Sequence, residues 1–350
     1  MQSVTSSNLP EIVESDEALD ELLTRPRAEL VRFIKSVRSP LVILGAGGKM
    51  GPSLSVLARR AAEAASHKRE VIAVSRFSNA TARRWLEERG VRTLSCDLYD
   101  ADAVRKLPPA EDVLFLVGHK FGTTQSPAIT WAANVIVPAR VAERYADSRI
   151  TALSTGNVYP HSPVAQGGSV ESDPLTPLGE YANATVGRER IFEFYSNRNA
   201  TRIVLLRLFY AVEMRYGVLR DLADKIGAGK AIDLTNGHFN CIWQADANEM
   251  AIRSMALTSS PPTAYNLTCA ETLSARKIAT RLGELMGKPV QFSGTESNTA
   301  LLGNTTKLRV QLGDPPTPLD VMIRWTADWV KRGGRSLGKP THFDVRDGRY

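Results

Sequence analysis

The chain has 350 residues, more than one typical domain but fewer than two large ones, so a main domain with a smaller attached lobe is expected. Its formal net charge of +7 is spread along the sequence rather than gathered into runs of Lys and Arg, which argues against nucleic-acid binding and fits anionic ligands. Three widely separated cysteines, Cys96, Cys241 and Cys269, have no metal-ligand spacing, so neither a disulfide framework nor a bound metal is expected.

The first residues and the hydropathy of the chain bear on its location. Glu11, Glu14, Asp16 and Glu17 do not fit the basic-then-apolar order of a secretory signal. No stretch reaches the roughly 18 uninterrupted apolar residues of a membrane-spanning helix. We therefore expect a cytoplasmic protein with a small-molecule substrate and with no membrane or nucleic-acid partner.

Two helices are predicted before the main domain. Apolar residues recur near helical spacing in Glu17–Leu23 and in Pro26–Val37. We assign residues 1–38 to an N-terminal helical extension, whose role the sequence does not indicate.

An apolar strand followed by closely spaced glycines comes next. Leu41–Leu44 leads into these glycines, and a predicted helix over 53–65 follows. In a strand–turn–helix unit, glycines let backbone N–H groups approach a dinucleotide pyrophosphate at the helix N-terminus, where the helix dipole also favours it. We predict a nucleotide cofactor here, held by Gly45, Gly47, Gly48, Lys49, Met50 and Gly51.

Strands and helices alternate through the next part of the chain. The further predicted strands are Val71–Ser75, Arg92–Ser95, Val113–Val117, Ile150–Ser154 and Arg202–Leu206. The helices between them are predicted at 79–89, 100–106, 128–146 and 179–198. This alternation indicates an α/β fold with a Rossmann-type, doubly wound parallel sheet, which we assign to residues 39–210.

The pattern loosens after Phe209. The predicted pieces are Val218–Ile226, Ala231–Leu234, Ala247–Leu257, Ala264–Thr268 and Ser274–Met286. We expect them to form a smaller substrate-binding lobe over the C-terminal edge of the sheet, within residues 211–330 and with returning segments. Residues 331–350 are rich in Gly and basic residues and form a C-terminal tail, either flexible or packed on the body.

The end of the second predicted strand bears on which nucleotide binds. An acidic residue there would hold an adenosine ribose and repel a 2′-phosphate, but the chain has Ser75 and Arg76. Arg76 can form charge-assisted bonds to a 2′-phosphate, so NADP is favoured over NAD, unless Arg76 stacks on adenine or points to solvent. Asp97 is placed to accept from the adenine amino group, and Leu98 and Val117 are expected beside it.

Two further stretches carry residues with catalytic chemistry: Leu153–Tyr159 after the fifth strand, and Pro177–Tyr181 before a helix. With the glycine turn, they make residues 40–330 resemble the extended branch of the short-chain dehydrogenase/reductase superfamily, the NAD(P)-dependent epimerase/dehydratase-like proteins. The other residues that carry the resemblance are Cys96, Asp97, Leu98, Asn134, Val135, Glu171, Asp173, Pro174, Arg207, Leu208 and Phe209. Their order along the chain is more specific than any single motif.

The resemblance implies a Tyr as general acid/base, a Ser or Thr that hydrogen-bonds the substrate oxygen, and a Lys four residues after the Tyr. Tyr181 and Thr155 match the first two roles, and Asn134 is given a supporting one. Thr185 stands where the Lys is expected and cannot supply a charge that favours a phenolate. Tyr181 as a packing residue and Thr155 as a strand-end turn residue remain alternatives.

Other cations can replace the missing Lys. Arg188 lies seven residues after Tyr181, on the same helical face, and Lys120 lies in the loop after the fourth strand. His119 can exchange protons near a nicotinamide. For each of them, an ordinary surface or loop position is the alternative.

The same stretches limit the substrate. Relatives that dehydrate nucleotide sugars place an Asp–Glu pair after the catalytic Thr, whereas this chain has Gly156 and Asn157, so that chemistry is not expected. The diphosphate contacts of nucleotide-sugar enzymes are also missing, because Tyr210 and Phe239 stand where an Asn and an Arg are implied.

We therefore expect a small polyol, sugar or keto acid, with His119, Lys120, Asn157 and Tyr210 as candidate substrate residues. Three other residues that can form a different anion site are Arg215, Arg220 and His238.

Two functions remain open. The first is an NAD(P)-dependent oxidoreductase or epimerase, and so an isomerase, that acts on a hydroxyl or carbonyl of a small, sugar-like, non-nucleotide substrate. The second, suggested by Thr185, is a catalytically degenerate NAD(P)-binding sensor or scaffold. The resemblance also implies a homodimer formed through the helices at 128–146 and 179–198.

Overall fold

The structure is a computed structural model that describes residues 9–78, 80–120, 122, 125–339 and 341–349. Its strands are β1 Leu41–Leu44, β2 Val71–Ser75, β3 Arg92–Ser95, β4 Asp112–Phe115, β5 Arg149–Thr155, β6 Ser162–Pro163, β7 Arg202–Leu208, β8 Tyr210–Val212, β9 Ile232–Asp233, β10 His238–Phe239, β11 Cys241–Trp243, β12 Thr263–Leu267, β13 Leu273–Ser274, β14 Phe292–Ser293 and β15 Thr299–Ala300. Its helices are α1 Asp16–Leu23, α2 Ala28–Phe33, α3 Gly51–Ala64, α4 Ala80–Glu87, α5 Ala101–Arg105, α6 Pro127–Trp131, α7 Val137–Arg144, α8 Glu180–Asn199, α9 Val218–Gly227, α10 Gln244–Arg253, α11 Ala275–Met286, α12 Thr306–Leu312 and α13 Leu319–Lys331. Asn79, the first residue of the helix predicted at 79–89, lies outside the described residues.

The centre of the described chain is a parallel sheet of seven strands in the order β12-β7-β5-β4-β1-β2-β3. Every residue of β1 and β4 is buried, as expected of parallel strands that helices cover on both faces. The predicted Rossmann-type fold is therefore confirmed. Strand order reverses between β1 and β4, and in such sheets this switch point, at the carboxyl ends of the strands, is where ligands bind.

Two pieces that we predicted for the smaller lobe belong to the sheet domain instead. Strand β12 pairs with β7 at the edge of the sheet. Helix α10 packs on α3 and buries Ala247, Met250 and Ile252 in the same core as β1. The prediction was wrong because an apolar pattern shows that a segment is covered, and not which core covers it.

The smaller lobe has its own core. Helices α9, α11 and α13 pack on one another, and Leu19, Leu22 and Leu23 of α1 join their buried apolar faces. Helix α2 packs instead against α3 and α10, with Leu30 in the core of the sheet domain. The N-terminal extension thus contacts both units.

The helix predicted over 128–146 is interrupted. Helix α6 is followed by a π-helical turn over Ala132–Ile136 and then by α7. Pro138 lies at the start of α7 and has no N–H to donate to the carbonyl of Asn134, which explains why regular α bonding fails here. The turn brings Asn134 fully into the interior.

The C-terminal segment packs on the body, as one of the two expectations had it. The Thr341 N–H donates to Asp221 Oδ2 at 2.8 Å, and the Phe343 side chain is buried. The backbone of Gly348 lies so close to Gly179 that neither position has room for a Cβ. Gly179 is the N-cap of α8, so the tail runs from the smaller lobe to the start of that helix. Within the described ranges, no helix has the length and apolar character needed to span a bilayer.

Candidate active site

Two adjacent cavities lie at the carboxyl ends of the strands around the switch point. The first has a volume of about 290 Å³ and the second about 250 Å³. They share Gly45, Gly48 and Leu116, so they form one continuous groove over the glycine turn. We call them the nucleotide cavity and the catalytic cavity.

The glycine turn fits a closely bound phosphate. Gly45 has φ +83°, a left-handed conformation, and a Cβ there would lie 2.9 Å from the backbone N of Val117. A Cβ on Gly51 would collide with the backbone of Ala46. The turn therefore needs glycine for its own geometry, and it leads directly into α3, whose N-terminus favours negative charge.

The nucleotide cavity brings together most of the predicted cofactor residues. Those that line it are Gly45, Gly47, Gly48, Ser75, Arg76, Asp97, Leu98 and Val117, and His119 lies there too, rather than in the catalytic cavity. Sequence reasoning missed Phe77, Tyr99 and Gly118, which also line it. A signal was available for Phe77 and Tyr99, because each lies within two residues of a predicted contact.

The adenine end of this cavity has an exposed cation and a bound carboxylate. Arg76 is exposed, and its carbonyl accepts from the Ser95 hydroxyl at 3.3 Å. The Oδ1 atom of Asp97 accepts from the Tyr99 N–H at 3.0 Å, so this carboxylate stabilises its own turn.

The catalytic cavity contains the remaining cofactor residues and most of the predicted substrate and catalytic ones. These residues are Lys49, Met50, Gly51, Lys120, Thr155, Asn157, Tyr181 and Tyr210. Tyr181 lies in the first turn of α8 and is 8% exposed. Tyr216, Leu301 and Thr341 complete the wall, and Thr341 gave no sequence signal because only the folding back of the tail brings it here.

Thr155 has a structural task at the end of β5. Its hydroxyl accepts from the Asn157 N–H at 3.2 Å and donates to Asn157 Oδ1 at 3.0 Å. The side chain thereby caps the short 3₁₀ turn Gly156–Val158. To hydrogen-bond a substrate oxygen, the hydroxyl has to exchange its bond to Asn157 for one to the ligand.

Thr185 and Asn134 lie outside both cavities. The Thr185 hydroxyl donates to the Tyr181 carbonyl at 2.9 Å within α8, and the residue is fully buried. It therefore lies behind the phenol-bearing turn and not at the groove. Asn134 Nδ2 donates to the Thr130 carbonyl at 2.8 Å, while its Oδ1 accepts from Arg188.

Arg188 is a buried cation behind the catalytic cavity. It is 3% exposed, and its Nη1 donates to the Leu153 carbonyl at 2.6 Å. A Cβ on Gly118 would lie 2.9 Å from Arg188 Nη2, so the guanidinium lies directly against the wall of the nucleotide cavity. Burial lowers the pKa of Arg188, and negative charge on Tyr181 or Glu189 opposes that shift.

A second polar network supports the strand that carries Thr155. Glu189 of α8 accepts from Arg207 Nη2 at 2.7 Å and also from the Ser154 hydroxyl. Arg207 Nη1 donates to the Tyr159 hydroxyl at 2.6 Å, and burial raises the pKa of Tyr159 to about 12. Glu189 and Arg207 thus act in structural support, because their charges are satisfied by each other.

The position after Thr155 has no room for a carboxylate. A Cβ on Gly156 would collide with the ring of Phe209. A Cβ on Gly303 would collide with the same ring, so both glycines lie against Phe209. The packing therefore agrees with the presence of Gly156 where the nucleotide-sugar dehydratases have an acidic residue. An acidic side chain at this position would require Phe209 to leave.

The cations proposed for a different anion site are already paired. Arg215 contacts Glu213, Asp16 and Asp20 at 3.2, 2.9 and 3.0 Å. Arg220 is bonded to Asp224 at 2.8 Å. His238 is half-buried in the β10 strand, which pairs with β13. Neither arginine lines the catalytic cavity, but both line a separate cavity of about 350 Å³, which His238 does not line.

An open parallel sheet with a glycine turn at its switch point and a tyrosine at the adjoining cavity defines a dinucleotide-binding protein of the extended short-chain dehydrogenase/reductase type. The family model described as the NAD dependent epimerase/dehydratase family matches residues 41–236, more than half of the chain. The chain belongs to this family, and the resemblance stated from the sequence is confirmed.

Solved structures of this type share the fold at low identity. The dTDP-glucose 4,6-dehydratase DesIV from Streptomyces venezuelae, with NAD and TYD bound, is 17% identical with a TM-score of 0.70, over 84% of this chain and 97% of that chain. A UDP-glucuronic acid 4-epimerase from Bacillus cereus, in complex with NAD, is 17% identical with a TM-score of 0.70, over 85% and 99%. A UDP-glucose 4-epimerase from Thermotoga maritima, with UDP-glucose, is 15% identical with a TM-score of 0.66, over 84% and 99%. Comparison with curated proteins by sequence gives no significant match.

Proposed function

We propose that this protein is an NAD(P)-dependent oxidoreductase or epimerase that acts on a hydroxyl or carbonyl of a small, sugar-like substrate without a nucleotide. The observation that carries the proposal is the placement of Tyr181 in a cavity continuous with the glycine-lined nucleotide cavity. A phenol beside a nicotinamide site is the arrangement that proton exchange with a reacting hydroxyl requires.

The bound nicotinamide supplies the hydride chemistry, and the protein supplies position and proton transfer. Tyr181 exchanges the proton of the substrate hydroxyl. Thr155 orients the substrate oxygen once its hydroxyl turns from Asn157. Arg188, rather than Thr185, provides a positive charge behind the turn that carries Tyr181. If oxidation of the substrate hydroxyl gives a ketone that stays bound and is reduced again on its opposite face, the net reaction is epimerisation.

The substrate is proposed to be smaller than the nucleotide sugars named for the neighbours. Phe239, where a phosphate-binding Arg is implied, is buried with its ring centroid 5.9 Å from that of Phe343 in the tail. Tyr210 replaces the implied Asn at the cavity wall. Phe239 thus packs against the tail in place of a charged contact to a diphosphate, and Gly156 argues against dehydratase chemistry.

NADP is proposed as the preferred coenzyme, in an otherwise NAD-binding family. Ser75 and Arg76 line the nucleotide cavity where an acidic residue would select NAD. The exposed Arg76 guanidinium is free of a paired carboxylate in the contacts of the described residues and suits a 2′-phosphate.

A homodimer through α6, α7 and α8 is also proposed. Apolar side chains that remain exposed on α6 and α8 are Ile129 at 51%, Trp131 at 41% and Phe194 at 54%. Their cover by a second copy would remove this apolar area from water. Location in the cytoplasm stays a prediction.

The competing proposal is a sensor or scaffold that binds the nucleotide without turnover. The absence of the family Lys at Thr185 favours it, whereas the buried Arg188 favours an enzyme. The two proposals are separated by testing hydride transfer to small carbonyl substrates, monitored by the absorbance of the reduced coenzyme. Transfer to any of them would identify an enzyme. Inversion at the substrate carbon without net coenzyme reduction would identify an epimerase.

The test of Tyr181 uses Tyr181→Phe and Tyr195→Phe in parallel. Tyr195 lies on the same helix, but its hydroxyl donates to Glu143 at 2.5 Å, away from the cavity. We expect Tyr181→Phe to lower kcat by about 10²–10⁴-fold with coenzyme affinity retained. Tyr195→Phe should keep full activity. Equal activity of wild type and Tyr181→Phe would remove Tyr181 from the mechanism.

A further inference from the structure

One lysine of the catalytic cavity, Lys49, belongs to the glycine turn and extends its side chain to the smaller lobe. Lys49 Nζ donates to the Ala211 carbonyl at 2.8 Å and lies 4.4 Å from the centroid of the Tyr216 ring. The backbone of Lys49 belongs to the turn that accepts the coenzyme, but its side chain lies against residues of the substrate lobe. The ammonium group therefore faces the substrate part of the groove.

A second lysine enters the same cavity from another wall. Lys120 follows β4, and its Nζ lies 3.5 Å from the Thr341 carbonyl oxygen of the tail. The centroid of the Tyr210 ring is 5.9 Å from this nitrogen. Two ammonium groups thus share a small cavity of about 250 Å³ with Tyr181 and aromatic walls.

The acids nearest to these lysines have other partners. The negative charge of Glu213 favours the ammonium form of Lys49. Glu213 Oε2 also accepts from the Arg215 backbone N–H at 2.9 Å and from Arg215 Nε at 3.2 Å. The negative charge of Asp221 likewise favours the ammonium form of Lys120, and Asp221 Oδ2 also accepts from the Thr341 N–H at 2.8 Å. Each of these two carboxylates is therefore shared between a lysine and another donor.

The titration of the lysines agrees with this picture. Burial lowers the pKa of Lys49 to about 8 and that of Lys120 to about 8, with Glu213 and Asp221 opposing the shifts. Both groups remain mostly charged at neutral pH, at a cost that an anion in the cavity would relieve.

We propose that Lys49 and Lys120 together bind a carboxylate or phosphate group of the substrate, which is then a small hydroxy or keto compound bearing an oxyacid anion. The inference rests on the proposed function, since it assigns the substrate of the same cavity. The anion is held between the turn and the loop after β4, and the carbinol or carbonyl carbon lies toward Tyr181. The +7 net charge of the chain agrees with an anionic ligand but does not localise it.

The structure separates this role from coenzyme binding. Backbone N–H groups and the α3 N-terminus are the features suited to the pyrophosphate, and the Lys49 ammonium is instead directed at β8. Arg215 and Arg220 are bound to carboxylates and do not line the cavity, so they do not supply the anion contact.

The experiment measures binding of three probes to the full chain by calorimetry, with and without NADPH. The probes are D-gluconate, inorganic phosphate and the neutral polyol D-sorbitol. The variants are Lys49→Met, Lys120→Met and a control, Lys307→Met. Lys307 resembles Lys49 in its contacts, since its Nζ donates to the Ala264 carbonyl at 3.0 Å and lies 4.7 Å from the Tyr265 ring centroid, yet it is exposed and outside the cavity.

We expect gluconate or phosphate to bind and sorbitol to bind at least tenfold more weakly. Each cavity variant should weaken the anion about tenfold or more, because it removes a charge-assisted hydrogen bond, while Lys307→Met leaves it unchanged. Which anion binds more tightly distinguishes a carboxylate from a phosphate substrate. No binding of either anion, sorbitol binding as tightly as gluconate, or anion affinity unchanged in both cavity variants would each overturn the inference.

Coenzyme affinity, measured separately by NADPH and NADH fluorescence, distinguishes the two proposals. Normal coenzyme binding by the variants shows that they fold, and a loss confined to the anion supports the lysine assignment. If Lys49→Met loses NADPH and anion together, Lys49 belongs to the coenzyme site and the inference fails. If the wild type binds neither coenzyme, the proposed function fails, whatever the anion result.

Discussion

Arg188 of helix α8 is hydrogen-bonded to the side-chain oxygen of Asn134 in the π-helical turn. The same guanidinium donates to the Leu153 carbonyl at 2.6 Å, so one buried cation joins the helix of Tyr181, the strand of Thr155 and the wall of the nucleotide cavity. Thr185, where the sequence resemblance implies a Lys, carries no charge, while the positive charge of Arg188 lies about one turn later along α8.

Replacing this cation should change the pH dependence of catalysis. In Arg188→Met, we expect kcat at neutral pH to fall at least about tenfold and the pH–rate profile to change, because proton exchange by Tyr181 loses a nearby positive charge. Asn134 Oδ1 and the Leu153 carbonyl lose a donor, so the free energy of unfolding should fall by about 1–3 kcal/mol for each orphaned group. The measurement is a pH–rate profile beside a denaturant titration.

Two further variants make that result specific. Arg188→Lys keeps the charge and should restore part of the neutral-pH activity. Arg190→Met is the control on the same helix, since Arg190 is exposed and pairs with Glu193 at 2.7 Å. A pH–rate profile of Arg188→Met that parallels the wild type would show that Arg188 is only structural.

Coenzyme preference should depend on Arg76. In Arg76→Ala, we expect NADPH affinity to fall about tenfold or more and NADH affinity to change little, because only the 2′-phosphate loses a charge-assisted bond. Arg84→Ala, an exposed arginine on α4, is the matched control. Equal losses for NADPH and NADH would mean that Arg76 stacks on the adenine instead.

Anion affinity should decrease at alkaline pH. The pKa of Lys49 and that of Lys120 are each about 8, so both ammonium groups are largely charged below about pH 7 and lose their protons as pH rises through 8. Binding an anion takes up protons in this range, and the dissociation constant for gluconate should therefore rise steeply between about pH 7.5 and 9.5. A Lys49→Arg, Lys120→Arg double variant stays protonated and should bind with little pH dependence. A flat profile in the wild type would contradict the assignment.

The N-terminal extension should stabilise the fold through Arg27. Arg27 contacts Glu249 at 2.8 Å and Asp246 at 3.4 Å, and these carboxylates are 3% and 5% exposed. Arg27→Leu should lower the free energy of unfolding at pH 7 by about 3–5 kcal/mol, because it leaves the buried Asp246 carboxylate without its cation, while Glu249 keeps Arg253 at 3.4 Å. Arg32→Leu, which breaks an exposed pair with Glu29 at 3.0 Å, should cost no more than about 1 kcal/mol.

The pH dependence of that loss has a definite sign. Burial raises the pKa of Asp246 to about 6, above the usual range of an aspartate, so its ionised form disfavours the folded state and protonation relieves this as pH falls through 6. The difference in stability between wild type and Arg27→Leu should therefore be smaller at about pH 5 than at pH 7. A constant difference across this range in urea titrations would argue against an electrostatic cause.

The sequence by itself determined the strand–turn–helix unit, the alternation of the sheet and the glycine-turn residues of the nucleotide cavity. These depend on local physics: period-two or fully apolar strands, glycine where a Cβ would collide, and helix periodicity. Tyr181 and Thr155 were predicted from the family resemblance, and the structure places them at the start of α8 and at the end of β5.

Only the tertiary structure decided which cation lies behind Tyr181, which core receives α10 and β12, and that the tail forms a wall of the catalytic cavity. Arg188 and Lys120 were equal candidates in the sequence, and packing put one in the interior and the other in the cavity. Thr341 and Lys49 line the catalytic cavity because of contacts between residues far apart in the chain, Thr341 with Lys120 and Lys49 with Ala211. Such contacts arise from apolar burial and ion pairing, which are not directional along the sequence, so no local pattern records them.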